Sequence, residues 1–218
     1  MKKMVRLVEI KTDETFIIDM MYAGTENMMQ TAVYQEVGLG NRCFVHPDLA
    51  QCLKKLQPLL QERGLKLKIC DAYRPVQAFY RMKEIIPMQG FFAATAERSQ
   101  HCHASAIDAV LTDADGCELK FPCRVDAYDP KYAQQIRQGQ WDEFRQHLEK
   151  AKYSWNEGEN SESIKNRTMF RELMEQAGFE ALEHEWWHFN LPHKENYPLI
   201  DCECTKGSEI KFFVEENT

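Results

Sequence analysis

The sequence predicts an α+β fold, a small mixed or antiparallel sheet flanked by helices. Three observations point there. The stretch LKLKICD alternates apolar and charged residues, as a half-buried strand does. Two further segments, AIDAVLT and FEALEHEWWHFNL, are apolar and of strand length. Helix-period stretches precede and separate them, giving the order helix, strand, helix, strand pair, helices, strand.

Each element has its own signal. From Pro47 to Gly64, the residues Leu49, Cys52, Leu53, Leu56, Leu59 and Leu60 keep helical spacing, and Gly64 suits a position just past a helix end. Pro58 inside that run predicts a kink or a break. In the first strand Leu65, Leu67 and Ile69 face one way, Lys66 and Lys68 the other. Pro75 can open the next helix, through Ile86. HCHASAIDAVLT reads as a loop feeding the second strand. There Asp108, Val110 and Thr112 would share one face, and Ile107, Ala109 and Leu111 the other. LTDADGCELKF resembles a hairpin with Asp115-Gly116 in its turn. Tyr132, Ile136, Trp141, Phe144 and Leu148 predict one or two helices between 131 and 153. Asn156–Ser163 is a polar loop, and Arg167–Ala177 an amphipathic helix stopped by Gly178. FEALEHEWWHFNL closes the pattern as one strand.

The chain has 218 residues, 44% of them hydrophobic, enough for one domain with a full core. A net charge of −7 argues against nucleic acid or an anionic membrane as partner. No stretch reads as a membrane span. MKKMVRLVEIKTDETF starts basic but lacks an apolar run and a small-residue cleavage site, so the expected location is cytoplasmic, or periplasmic had a leader been removed. The eight cysteines show no disulfide framework and read as scattered reduced thiols. Cys202-Glu-Cys204 has the look of a soft-metal pair but lacks two further ligands nearby in sequence.

The strand ends carry the chemistry. The second strand brings His101 and Asp108, the last brings Glu185 and His188, and the first ends at Asp71 and Arg74. Two histidines and one carboxylate make a three-ligand zinc site with an open fourth position. A spare carboxylate can deprotonate zinc-bound water, and a guanidinium can stabilise an oxyanion. Against this stands the bland reading that seven histidines will lie near something by chance. The sharper clue is Asp108 on an apolar strand, because a buried aspartate is costly unless paired or metal-bound. Glu185 and His188 are three apart, so a regular strand would point them to opposite faces. A bulge is needed, or a base placed just before the regular strand begins. A Cys102–His103 nucleophile pair is a rival, weakened because adjacent side chains seldom converge.

These residues also resemble a known family. Ser99-Gln-His101-Cys-His-Ala-Ser-Ala-Ile-Asp108 resembles the S-x-H-x-x-G-x-A-x-D motif of the zinc D,D-peptidases, and Glu185-Trp-Trp-His188 their E-x-x-H. DMMYAGTENM, DAYRP and NRTMFRELMEQAGF resemble further segments of the D-alanyl-D-alanine dipeptidases, the family of the vancomycin-resistance dipeptidase. The resemblance runs from about residue 19 to 190, with a gap. It implies the zinc D,D-peptidase (hedgehog-like) fold and one zinc per chain. His101, Asp108 and His188 match the zinc ligands, Glu185 the catalytic base, and Arg74 the arginine that stabilises the tetrahedral intermediate. Tyr22, Asp71 and Ser99 match pocket residues. Tyr128-Asp129 resembles an F-D pair whose aspartate helps to hold the substrate ammonium.

The chain departs from the family at several points. The motif glycine is Ala104, which matters only if φ is positive there. Gln100 stands where a small hydroxyl residue is expected. Arg124-Val125-Asp126 replaces the M-G-T before the F-D pair, and the stretch from Asp129 to Asn166 is longer than expected. The chain therefore reads as one zinc D,D-dipeptidase domain over 1–218 with a helical insertion at about 131–160. The expected reaction is hydrolysis of D-alanyl-D-alanine or a similar small D,D-dipeptide. The alternatives are a carboxypeptidase or endopeptidase acting on cell-wall peptides, and a non-catalytic zinc- or peptide-binding protein.

Overall fold

The computed structural model describes residues 2–158, 161–204 and 209–215. In chain order the elements are β1 (Lys2–Val5), β2 (Val8–Ile10), β3 (Phe16–Ile18), α1 (Val33–Glu36), β4 (Cys43–Val45), α2 (Pro47–Gln61), β5 (Lys66–Asp71) and α3 (Val76–Ile85). There follow β6 (Ala106–Thr112), α4 (Pro130–Arg137), α5 (Asp142–Leu148), α6 (Glu162–Ala177), β7 (Glu180–Leu182), β8 (Glu185–Asn190), β9 (Asp201–Glu203) and β10 (Lys211–Glu215). The architecture is α+β, with a mixed central sheet.

That sheet has the order β3-β5-β6-β8-β7. β3 runs parallel to β5 and the other pairings are antiparallel. All seven residues of β6 are buried, so both predicted faces of this strand are covered. In register, Asp71 on β5 faces Asp108 on β6, and Asp108 faces His188 on β8. Three polar side chains thus stand in one line across the middle of the sheet. Two smaller sheets, β1-β10-β9 and β2-β4, were not foreseen. Their strands are three to five residues long, too short for alternation to stand out.

Several elements differ from expectation. α2 continues through Pro58 to Gln61; the proline lies in the last turn, where one missing backbone donor matters little. The predicted hairpin after β6 reduces to a single bridge between Thr112 and Glu118, around a turn with Gly116 at φ +87°. FEALEHEWWHFNL is two strands, β7 and β8, joined by a turn at Glu183-His184. α6 begins at Glu162, five residues before Arg167. Arg167 is buried, which interrupts the apolar pattern. Its guanidinium donates to the carbonyls of Lys152, Tyr153 and Trp155, each at 2.9 Å. The helices expected between 131 and 153 are α4 and α5, with a 3-10 turn from Glu149 to Ala151. The last two residues of the expected insertion, 159 and 160, lie outside the described residues. Among the described residues, no helix is long and apolar enough to cross a membrane.

Candidate active site

The site is assembled at the ends of β5, β6 and β8. His101 sits on a 3-10 turn, Gln100–His103, that leads into β6. Ala104 ends the turn in the left-handed region, with φ +54°. This is the position of the motif glycine, so the substitution carries backbone strain of about 1–2 kcal/mol beside His101. Asp108 and His188 are neighbours across β6 and β8. Glu185 is the first residue of β8. Between the pairs Ala181–Phe189 and Leu182–Glu185, the ladder advances one residue on β7 and four on β8. That bulge removes the parity conflict between Glu185 and His188, whose Oε2 and Nδ1 lie 3.9 Å apart.

Three ligand atoms converge. His101 Nε2 lies 3.2 Å from Asp108 Oδ2 and 3.2 Å from His188 Nδ1, and His188 Nδ1 lies 2.9 Å from Asp108 Oδ1. The far ring nitrogens fix the tautomers. His101 Nδ1 donates to the Ala72 carbonyl at 2.9 Å, and His188 Nε2 donates to Asn190 Oδ1 at 2.8 Å. A carbonyl can only accept, so His101 turns a lone pair inward, and His188 does the same. A carboxylate and two imidazole lone pairs facing one another, with no donor among them, call for a cation. The titration directions agree. Absent a metal, a proton would supply that charge: burial opposes it on His188, but Asp108 and Glu185 outweigh burial and raise the imidazole to about 9. Burial would raise Asp108, yet the two imidazoles hold it well below the usual carboxylate range. These residues fit a divalent metal of the kind held by nitrogen and oxygen ligands.

The same three residues line a cavity of about 740 Å³ together with Glu185, Arg74, Tyr22 and Ser99. Glu185 opens 35% of its side-chain surface to the cavity, and its enclosure by the walls, with Asp108 next, raises its carboxyl above the usual value. Arg74 is buried, and its guanidinium donates to Asp71 Oδ2 from Nε at 3.1 Å and Nη2 at 2.6 Å. Trp187 forms part of the wall, while Trp186 stacks on Phe121 in the core.

Two expected pocket acids sit elsewhere. Asp71 is fully buried behind Arg74, accepting from Arg74, the Tyr34 hydroxyl and the Ala72 amide, and it does not line the cavity. Asp129 caps α4 by accepting from the Lys131 amide at 2.8 Å and is likewise absent from the cavity wall. Besides Asp108 and Glu185, the acids that line it are Glu180, Glu195 and the buried Asp126, none of them expected there from the sequence. Asp126 and Ala127 both have positive φ, +56° and +50°, and this twist turns the segment toward the site. The Tyr22 hydroxyl donates to Asp126 Oδ2. Burial first, then Asp108, raises Asp126 to about 8. The signal was present: Val125-Asp126 is an apolar-acid pair like Tyr128-Asp129, but it lacks the aromatic ring.

The thiol rival has no support in this geometry. Burial pushes the Cys102 thiol up to about 12, and both His103 nitrogens face backbone carbonyls, of Tyr197 at 2.8 Å and Glu97 at 3.1 Å.

A family model described as D-ala-D-ala dipeptidase matches residues 1–203. The chain is 28% identical over 183 residues to the D-alanyl-D-alanine dipeptidase of Escherichia coli (strain K12), covering 84% of this chain and 82% of that protein. It is also 28% identical over 177 residues to the D-alanyl-D-alanine dipeptidase of Enterococcus faecium, covering 72% of this chain and 77% of the relative. With the match extending over most of the chain and a histidine–aspartate–histidine cluster at the end of its central strands, the chain belongs to the D-ala-D-ala dipeptidase family of metallopeptidases.

Proposed function

We propose that this chain is a zinc-dependent hydrolase of D-alanyl-D-alanine or a similar small D,D-dipeptide. One observation carries the reading: three metal-ligating atoms face one another, with a carboxylate and a guanidinium on the wall of the same cavity. Zinc held by His101, Asp108 and His188 would polarise the scissile carbonyl and acidify water there. Glu185 takes the proton of the attacking water and passes it to the leaving amine. Raised by burial above the usual carboxylate value, its carboxyl holds a proton more readily, as a group that must both accept and release one requires. Arg74, held in place by Asp71, donates to the oxygen that gains negative charge. Asp126, steadied by Tyr22, gives up its proton to solvent as the substrate ammonium binds beside it, the role the resemblance assigned to Asp129. Ser99 lines the same space.

A second reading rests on size. A cavity of about 740 Å³ falls in the range that takes ligands well beyond two alanines. It would also admit cell-wall peptides, as a carboxypeptidase or endopeptidase requires. The test is amino-acid release by zinc-loaded protein from D-Ala-D-Ala, from L-Ala-L-Ala and from a muropeptide ending in D-Ala-D-Ala, each repeated after chelation. The dipeptidase reading expects chelator-sensitive cleavage of the free D,D-dipeptide. Cleavage of the muropeptide alone favours the second reading, and no cleavage of any substrate rejects both.

A further inference from the structure

The family match stops at residue 203, and a pair of cysteines straddles that end. Cys202 is buried on β9, while Cys204 follows the strand and is partly exposed. Residues two apart on a strand face the same side, and here the two free thiols meet with sulfurs 2.7 Å apart. The contact is fixed from both sides. β9 pairs with β10, and just ahead of it the Ile200 amide donates to the Cys102 carbonyl while the Tyr73 hydroxyl donates to the Ile200 carbonyl. Cys204 is seated by close approach to Gly38, at φ +82°. A Cβ there would come within 2.9 Å of the Cys204 carbonyl oxygen.

The two thiols are chemically unequal. The hydrogen bond shared with Cys202 and the positive charge of the Arg42 guanidinium hold Cys204 below the ordinary thiol value against the opposing effect of burial. The hydrogen bond to Cys204 and burial push Cys202 the other way. A partly exposed thiol that loses its proton more readily, beside a buried one that holds its proton, is the division between an attacking and a resolving cysteine.

We propose that Cys202 and Cys204 form a dithiol site that a low-molecular-weight disulfide oxidises reversibly to an intramolecular disulfide. The Cys204 thiolate attacks one sulfur of the oxidant, forming a mixed disulfide and releasing one thiolate. That thiolate takes the Cys202 proton, and the Cys202 sulfur then attacks Cys204 Sγ and expels the second thiolate. Two protein thiols are oxidised, and one small disulfide is reduced to two thiols. The ring closes over Glu203 alone, and so small a ring strains the bond, which favours easy reduction. The site lies two residues beyond Ile200, and through Ile200 it touches the turn that carries His101.

The experiment equilibrates the reduced full-length protein with graded ratios of reduced to oxidised glutathione, quenches by alkylation, and maps thiols by peptide mass. The expected result is loss of two hydrogens from the peptide holding Cys202 and Cys204, following the ratio in both directions. Cys202→Ser should instead accumulate a glutathione adduct on Cys204, since its resolving thiol is gone. Two alkylated thiols at every ratio would overturn the proposal, and so would a stable glutathione adduct on Cys204 in the unmodified chain.

Discussion

The Arg74 guanidinium makes two hydrogen bonds to one oxygen of Asp71, a residue that never reaches the cavity. The aim of Arg74 in its proposed role as oxyanion donor therefore depends on a charge hidden behind it. Arg74→Ala should keep zinc and lose about 10²–10³-fold in kcat. Asp71→Asn should lose less in kcat but more in melting temperature. It leaves a buried guanidinium short of its counter-charge, and breaking such a pair costs about 3–5 kcal/mol. Kinetics and thermal melts on both variants check this. Wild-type kcat in Asp71→Asn would remove the positioning role.

Metal binding and proton transfer should separate cleanly. His188→Ala removes one of the three proposed zinc ligands, so zinc content should fall from the expected one per chain and activity with it. Glu185→Gln keeps the volume and should retain zinc while kcat falls about 10²–10⁴-fold. Metal analysis beside D-Ala-D-Ala turnover decides the matter. Near-normal turnover in Glu185→Gln would mean that the base is another group.

Asp126 should discriminate substrates by their amino end. Asp126→Asn is expected to raise KM for D-Ala-D-Ala and to leave turnover of its N-acetylated form little changed. The group also predicts a pH effect on the metal-stripped protein. Its folded pKa, about 8, stands above the ordinary aspartate value, so the retained proton stabilises the fold fully below about pH 4. That contribution fades as pH rises toward 8. Asp126→Asn is neutral throughout, so its melting temperature should gain on the wild type between pH 5 and pH 8.5. A constant difference over that range would contradict the burial argument.

The segment from α4 to α5 should limit substrate length. Leu148 lines the cavity, and Phe144 packs at 5.5 Å between centroids against Phe91, another wall residue. Leu148→Ala opens the wall without emptying the core. It should raise turnover of D-Ala-D-Ala-D-Ala relative to D-Ala-D-Ala by about 10-fold, the scale of small steric changes in a pocket. An unchanged ratio would make the segment peripheral to specificity.

The sequence made the centre of this molecule legible and its edges not. β5, β6 and β8 announced themselves through alternation and continuous apolar runs, and Asp108 stood out as a charge among apolar neighbours. The β7–β8 turn was invisible because Glu183 and His184 are not turn formers of the glycine or proline kind. The start of α6 was hidden by Arg167, whose burial is satisfied by carbonyls distant in sequence. Asp126 was missed because its access to the cavity depends on two left-handed residues, a backbone choice that neither Asp126 nor Ala127 advertises.

The line from Asp71 through Asp108 to His188 has a consequence for folding fidelity. A strand that slips by one residue turns every side chain to the opposite face. A chain refolded with β8 one residue out of register would keep its strand content but carry His188 away from Asp108. Its circular dichroism would look native while its capacity for metal was gone. If the proposed zinc site holds, zinc stoichiometry in a refolded sample counts the molecules whose central strands are correctly paired.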